Sequence, residues 1–192
     1  MEKLVIYPGR FQPFHKGHFK IYLWIKKQIG KCVIATTDKT DDGKSPFNFE
    51  DKKLMMKTMG VAESDIAEVK SPYIASEITN LYDSSKTVLI FVVSIKDQER
   101  FTFSPKKNGE PSYFQLWSKD TIEQPFEKHG YILFVPTFTF SILGKTINSA
   151  TEIRKLYAEA DEAAQRQIIH DLYGICTEEL YQTWKKINHL TE

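Results

Sequence analysis

Gly9-Arg10-Phe11-Gln12-Pro13-Phe14-His15-Lys16-Gly17-His18 is the stretch on which the reading of this chain turns. A short apolar run, Leu4-Val5-Ile6-Tyr7, leads into it and is ended by Pro8-Gly9, the pattern of a buried strand running into a loop. From Lys16 to Ile29 the apolar residues Phe19, Ile21, Tyr22, Leu23, Trp24, Ile25 and Ile29 suit a largely buried helix, with Gly30 where a C-terminal glycine belongs. A strand-loop-helix joint of this kind is where an open α/β sheet presents backbone N–H groups and a helix dipole to phosphate.

Each residue type in the stretch has a use at such a joint. Gly17, in the opening turn of the helix, lets a phosphate approach the backbone, so bulk there is expected to do harm. His15 and His18 are three positions apart, which projects both imidazoles to one side of a helical first turn. In an in-line attack at phosphorus, charge shifts onto the bridging and equatorial oxygens, and imidazole N–H groups held there lower the barrier. An isolated His-x-x-His is better explained by helix capping or core packing. The strand before it, Gly17 within it, Arg10 ahead of it and the helix after it favour phosphate contact. Gly9, Arg10, Phe11 and Gly17 are therefore nucleotide-binding candidates, and His15 and His18 catalytic ones.

Beyond this joint, Cys32 to Thr36 reads as a second strand, and a polar loop over 37–46 leads to Asn48, an N-cap for a helix to about Met59 with Glu50 and Asp51 in its first turn. Val88 to Val93 and Tyr131 to Val135 are continuous apolar runs of the kind found in parallel strands buried on both faces. Four strands alternating with helices predict an α/β fold, an open parallel sheet with one site near the strand C-termini. After Ser149 the pattern turns helical through Ile153, Leu156 and Tyr157, then Ala160 to Tyr173, then Glu178 to Ile187. Residues 1–192 read as a single domain, with 158–192 a helical C-terminal tail packed on it. The stretch Ser94 to Gln124 carries turn signals at Ser104-Pro105, Asn108-Gly109 and Glu110-Pro111, and loops of this length often serve as lids or binding loops.

A second motif, Ile147-Asn148-Ser149-Ala150-Thr151-Glu152-Ile153-Arg154, lies where a loop runs into a helix. Ser149 is a natural N-cap and Glu152 stands at the third helical position, a capping box that by itself would account for both. Thr151 and Arg154 add a hydroxyl and a permanently charged fork of donors, a second surface ready for an anion, and Arg154 is placed to hold the outer phosphates of a triphosphate.

Together, Gly9 to His18 and Ser149 to Arg154 resemble the HxGH and S-x-T-x-x-R signatures of the HxGH-type nucleotidyltransferase superfamily, in order and spacing over most of the chain. Gly9 to His18 looks most like nicotinamide-mononucleotide adenylyltransferases of the archaeal and bifunctional bacterial types, and Pro46-Phe47 before a helix is similar too. The resemblance implies a Rossmann-like fold with helices on both faces. It also implies ATP with Mg²⁺ carried by the substrate phosphates, attack by nicotinamide mononucleotide on the α-phosphate, and release of NAD and pyrophosphate. His15, His18 and Arg154 would contact the ATP phosphates, with Ser149 and Thr151 in the same site. Ala150 stands where these relatives carry glycine, and Ser94 to Arg100 is only loosely like their middle segment. Because only a helical tail follows, a stand-alone version is expected rather than one fused to a Nudix or kinase domain.

Two other readings compete, a cytidylyltransferase activating a small phosphorylated acceptor and a non-enzymatic nucleotide-binding module. No R-T-x-G-I-S-T-like segment stands at Lys145 to Ser149, which disfavours the first, and a sensor has no need of donors placed for transition-state charge, which disfavours the second. An aminoacyl-tRNA synthetase would need an anticodon-binding domain and a K-M-S-K-S-like loop. Gly43-Lys44-Ser45 and Gly144-Lys145-Thr146 mimic the end of a P-loop but lack its earlier glycine, Asp38 and Thr139 standing there instead, so Lys44 reads as a solvated lysine. Asp97, Arg100 and Trp117 are weak candidates for binding the acceptor. No carboxylate cluster has dedicated metal spacing, as expected where Mg²⁺ rides on the substrate.

Composition sets the remaining bounds. With 41% hydrophobic and 27% charged residues the chain should fold, and a net charge of +1 provides no broad field for nucleic acid or a membrane surface. Cys32 and Cys176 show no disulfide or zinc pattern, and no signal segment or membrane-spanning stretch is evident, so a cytoplasmic location is expected. A homo-oligomer is compatible with all of this.

Overall fold

In strand β1 (Glu2–Pro8), Leu4 and Ile6 fall on one face and Val5 and Tyr7 on the other, and all four are buried. A strand with two apolar faces must lie inside a sheet covered on both sides. The computed structural model, which describes residues 1–190, places it there. In chain order there follow α1 (Lys16–Ile29), β2 (Val33–Thr36), α2 (Phe49–Met59), β3 (Ile66–Glu68), α3 (Ser76–Thr79), β4 (Thr87–Ser94), β5 (Phe114–Leu116) and β6 (Gly130–Val135). Then come β7 (Phe140–Ile142), β8 (Lys145–Ile147), α4 (Ala150–Ala158), α5 (Glu162–Tyr173) and α6 (Glu178–Trp184). Short 3₁₀ helices occupy Glu63–Asp65, Ile95–Arg100 and Lys185–Leu190.

The six-stranded sheet is parallel throughout, in the order β3-β2-β1-β4-β6-β5. The chain steps outward from β1 to β3, then crosses back past β1 to β4, so a topological switch point lies between β1 and β4, where open α/β sheets bind ligands. Parallel crossovers are right-handed, so connections stepping in opposite directions cover opposite faces. The two core clusters divide accordingly. One joins Val5, Tyr7, Ile90 and Leu133 to residues of α1, α2, α4, α5 and α6. The other covers Leu4, Ile6, Phe91 and Ile132 with Ile78 of the single-turn α3 and with aromatic side chains such as Phe101, Phe103 and Phe114. The sheet is thus Rossmann-like and flanked by helices, very unequally on its two faces.

Helix α1 has the bounds its apolar pattern predicts, and Asn48 caps α2 through a reciprocal box with Asp51. Three features of the sequence pattern are refined. The stretch 94–124 supplies an edge strand, β5, and packs Phe101 and Phe103 edge-on against Phe134. Residues 140–147 form a hairpin whose turn residues Leu143 and Gly144 both have positive φ (48° and 72°), as a type I′ turn requires. Gly144-Lys145-Thr146 is part of that hairpin, and Asp171 of α5 accepts from the Leu143 N–H at 2.9 Å. Helix α5 starts at Glu162 rather than Ala160, because Asp161 caps it by accepting from the Ala164 N–H. Among the described residues no helix is long and apolar enough to cross a membrane.

The tail is part of the core. Trp184 is fully buried, with ring centroids 5.1 Å from Tyr157, 5.7 Å from Phe47 and 6.0 Å from Tyr173. Trp184→Ala is expected to cost about 3–5 kcal/mol of stability by chemical denaturation. A loss under about 1 kcal/mol would show that the tail is only loosely attached.

Candidate active site

The start of α1 is capped by its own histidines. His15 is the N-cap residue, and its Nδ1 accepts from the Gly17 N–H at 3.1 Å. His18 reaches back so that its Nδ1 accepts from the His15 N–H at 3.2 Å. A nitrogen that accepts carries no proton, so in each neutral ring the proton sits on Nε2. The rings stack with centroids 3.6 Å apart. Burial lowers the pKa of His15 to about 3, helped by the charge of Lys96, and burial with the neighbouring His15 lowers that of His18 well below the usual value. Both rings are therefore neutral at physiological pH.

The loop that carries them is held from behind. Lys52 of α2 donates to the Arg10 carbonyl at 3.2 Å, Arg154 of α4 donates to the Gln12 carbonyl, and the Tyr173 hydroxyl of α5 donates to the Phe14 carbonyl at 2.8 Å. The Gln12 amide bridges the backbone of Phe47, donating to its carbonyl and accepting from its N–H, which gives Pro46-Phe47 a physical role. Phe11 takes a positive φ of 49° and packs edge-on against Tyr7, Phe14 and His18. A Cβ on Gly9 would stand 2.7 Å from the Phe11 ring, and one on Gly17 would stand 2.9 Å from Cε1 of His15 and 3.2 Å from the Phe138 carbonyl oxygen. Gly17 is bare for the sake of the imidazole beside it.

His15 and His18 line a cavity of about 300 Å³ at the switch point, together with Tyr73, Lys96, Asp97 and Ser149. Gly9, Arg10, Phe11 and Gly17 line it as well. The backbone N–H groups of Gly17 and Gly9 are not among the donors it offers, since that of Gly17 is spent on His15 and that of Gly9 on the Ala35 carbonyl at 3.1 Å. Each imidazole instead takes up a backbone N–H at Nδ1 and carries an N–H of its own at Nε2.

Other sequence candidates are placed differently. Arg154 does not line this cavity; its guanidinium is committed to Gln12 and, at 3.4 Å, to the Thr151 hydroxyl, and burial with the nearby Arg10 charge lowers its pKa. Ser149 caps α4 by accepting from the Glu152 N–H and donates to the Glu152 carboxylate. Asp97 lines the cavity, whereas Arg100 is exposed and pairs with it at 3.3 Å. Trp117 is remote: its indole donates to Glu123 at 3.0 Å and lies under Lys3, at the opposite end of β1 from the site. No residue of 101–124 lines the cavity, so the structure does not show that stretch as a lid. The N–H groups of Gly43, Lys44 and Ser45 converge on the Asp41 carboxylate, which lowers its pKa to about 2.

Lys96 and Tyr73 are among the cavity residues that escaped the sequence patterns. Lys96 lies two residues past the end of β4 at the switch point, and its position could have identified it; its Nζ lies 3.4 Å from the Asn148 carbonyl. Tyr73, in the turn after Ser71-Pro72, gave no signal.

A switch-point cavity lined by two neutral imidazole donors and a lysine is suited to a phosphate ester. Residues 6–156 match the cytidylyltransferase-like family, and the chain belongs to it: it is an enzyme of the nucleotidyltransferase superfamily. It is 25% identical over 175 residues to the nicotinamide-nucleotide adenylyltransferase of Sulfurisphaera tokodaii, an alignment covering 90% of each chain. Its fold is like that of the nicotinic acid mononucleotide adenylyltransferase of Plasmodium falciparum complexed with NaAD, with a TM-score of 0.57, 12% identity and both chains covered in full. It is also like that of a bifunctional NMN adenylyltransferase/ADP ribose pyrophosphatase from Francisella tularensis, with a TM-score of 0.55 and 16% identity. All of this chain is covered there, and it spans about half, 52%, of that longer protein.

The tautomers and the depressed pKa values are measurable by ¹⁵N NMR of the imidazoles. Both rings are expected to show the Nε2–H form at neutral pH, with His15 unprotonated until the pH approaches about 3. Because the unfolded histidine binds a proton near the ordinary value of 6.5 and the folded His15 does not until about 3, stability should fall as pH drops through that window. Titration of both rings near the ordinary value would contradict the buried arrangement.

Proposed function

We propose that the protein transfers AMP from ATP to nicotinamide mononucleotide, forming NAD and releasing pyrophosphate. The observation that carries this reading is the stacked His15–His18 pair, neutral and committed through Nδ1, which leaves two Nε2–H donors for a phosphate in the cavity. An oxygen of the acceptor phosphate attacks the α-phosphorus, the bond to the bridging oxygen breaks, and pyrophosphate leaves with the electron pair. A phosphate nucleophile has no proton that must be removed at neutral pH, so the reaction calls for donors rather than a general base. Neutral imidazoles fit that demand. The charges of Arg10 and Lys96 at the cavity favour the triphosphate, and Arg154, close behind Gln12, is near enough in the fold to serve the leaving group after a side-chain movement.

Mg²⁺ bound with the triphosphate would neutralise part of its charge. Asp97 is the carboxylate lining the cavity, and most of the ion's ligands would come from phosphate oxygens and water. The choice of nicotinamide mononucleotide is supported by the resemblance to the S. tokodaii enzyme. Cytidylyl transfer is the second reading, because the family description covers it.

Incubating the protein with Mg²⁺, nicotinamide mononucleotide and either ATP or CTP, and following pyrophosphate and dinucleotide by chromatography, tests both. NAD formed from ATP alone is the expected result. Product from CTP alone would establish the second reading, and turnover of neither would end the claim for this acceptor. His18→Ala is expected to lower kcat roughly a hundredfold or more while the fold persists, as loss of a transition-state donor does. An unchanged rate would remove His18 from the mechanism.

A further inference from the structure

Lys52 is a buried charge that the reaction as described does not use. Its side chain is fully buried on α2, and among the described residues it forms no ion pair. Its Nζ donates instead to three uncharged oxygens, the Arg10 carbonyl at 3.2 Å, the Thr36 hydroxyl at 2.8 Å and the Thr37 carbonyl. Burying an ammonium without a counterion is costly, and an apolar side chain of similar length would normally serve the fold better. The three oxygens lie at the C-terminal ends of two strands, Arg10 in the loop that leaves β1, Thr36 as the last residue of β2 and Thr37 just after it, and Arg10 itself lines the cavity.

We infer that Lys52 is a positioning residue of the nucleotide site: its ammonium ties the β1 loop to the β2 loop at Arg10 and sets a fixed positive charge beneath the bound triphosphate. The inference rests on the proposed triphosphate reading. The groups around Lys52 come from every neighbouring element. Asp38 follows β2 and accepts from the Phe49 N–H, Asp51 on α2 is bonded to Asn48 and Lys186, and Glu68 ends β3. Burial lowers the pKa of Lys52 to about 8 against the opposing pull of these three carboxylates. A polyanion bound nearby favours the charged ammonium, so by linkage nucleotide binding above that pKa must draw in protons. The buried histidines titrate far below this range.

Calorimetric titration of MgATP into the full chain, at about pH 7 and about pH 8.5 in buffers of different ionisation enthalpy, reads both affinity and proton uptake. The wild type is expected to take up a fraction of a proton near pH 8.5 and almost none near pH 7. Lys52→Met is expected to abolish that uptake and to weaken ATP binding roughly tenfold near pH 7 in protein that remains folded at the assay temperature, even though the three oxygens it leaves unpaired lower its melting temperature. A purely structural lysine would lower the melting temperature but leave the affinity of the folded protein and its proton count unchanged. Should Lys52→Met fail to fold, Thr36→Val removes a single acceptor and is expected to weaken binding in the same direction by a smaller factor. A folded Lys52→Met with wild-type affinity and proton uptake overturns the inference, as does a wild type that binds ATP without proton exchange near pH 8.5. A wild type that binds no triphosphate at either pH overturns the nucleotide reading along with it.

Discussion

Three alternate carbonyls of the loop between β1 and α1, those of Arg10, Gln12 and Phe14, are each held by a side chain from a different helix: Lys52, Arg154 and Tyr173. A loop lacks the internal ladder that satisfies backbone groups in a strand or helix, and buried carbonyls need partners. Here the partners lie 42, 142 and 159 residues away in sequence. The cavity-lining segment therefore has no local reason to keep its shape. It acquires one when α2, α4 and α5 have packed on the same face of the sheet, and the C-terminal tail becomes part of the site through Tyr173 without lining its cavity.

The histidines answer two demands that usually need different residues. A helix start has unpartnered N–H groups that Ser, Thr, Asp or Asn normally satisfy, and a phosphoryl-transfer site needs rigid donors. An imidazole has two nitrogens on opposite edges of its ring, so it can accept from the backbone with one and donate with the other. The capping and phosphate readings of His-x-x-His are compatible in this geometry, because capping sets the tautomer on which donation depends. Burial keeps both rings neutral, and close stacking of two imidazoles would be opposed if both were charged.

What was legible in the sequence was local. The strand, loop and helix from Leu4 to Ile29, the Asn48 cap and the Ser149 cap all announce themselves within a few residues, and the structure places each as expected. Ile66–Glu68 and Phe114–Leu116 are too short to show a period, and they become strands only because longer neighbours offer them an edge. Trp117 was a weak candidate for binding the acceptor, and its position at the far end of the sheet depends on pairing that no local pattern encodes. Lys52 was hidden for another reason. Lysines on a helix are ordinarily solvated, and nothing in Glu50-Asp51-Lys52-Lys53 marks the one that turns inward.

The same long-range contacts bear on how Arg154 is used. Its guanidinium has five N–H donors, and the Gln12 carbonyl and the Thr151 hydroxyl engage two of its nitrogens. Its Coulombic neighbours are Arg10, which repels it, and Asp41, whose carboxylate is also bound by three backbone N–H groups. An anion brought between Arg10 and Arg154 would convert a repulsive pair into two attractive ones, a gain open only to a ligand carrying several negative charges close together. Bonded to the Gln12 carbonyl, Arg154 is close enough to Arg10 for the two charges to repel. On the proposed reading, the constraint that shapes the first motif would thereby also favour a triphosphate over a single phosphate.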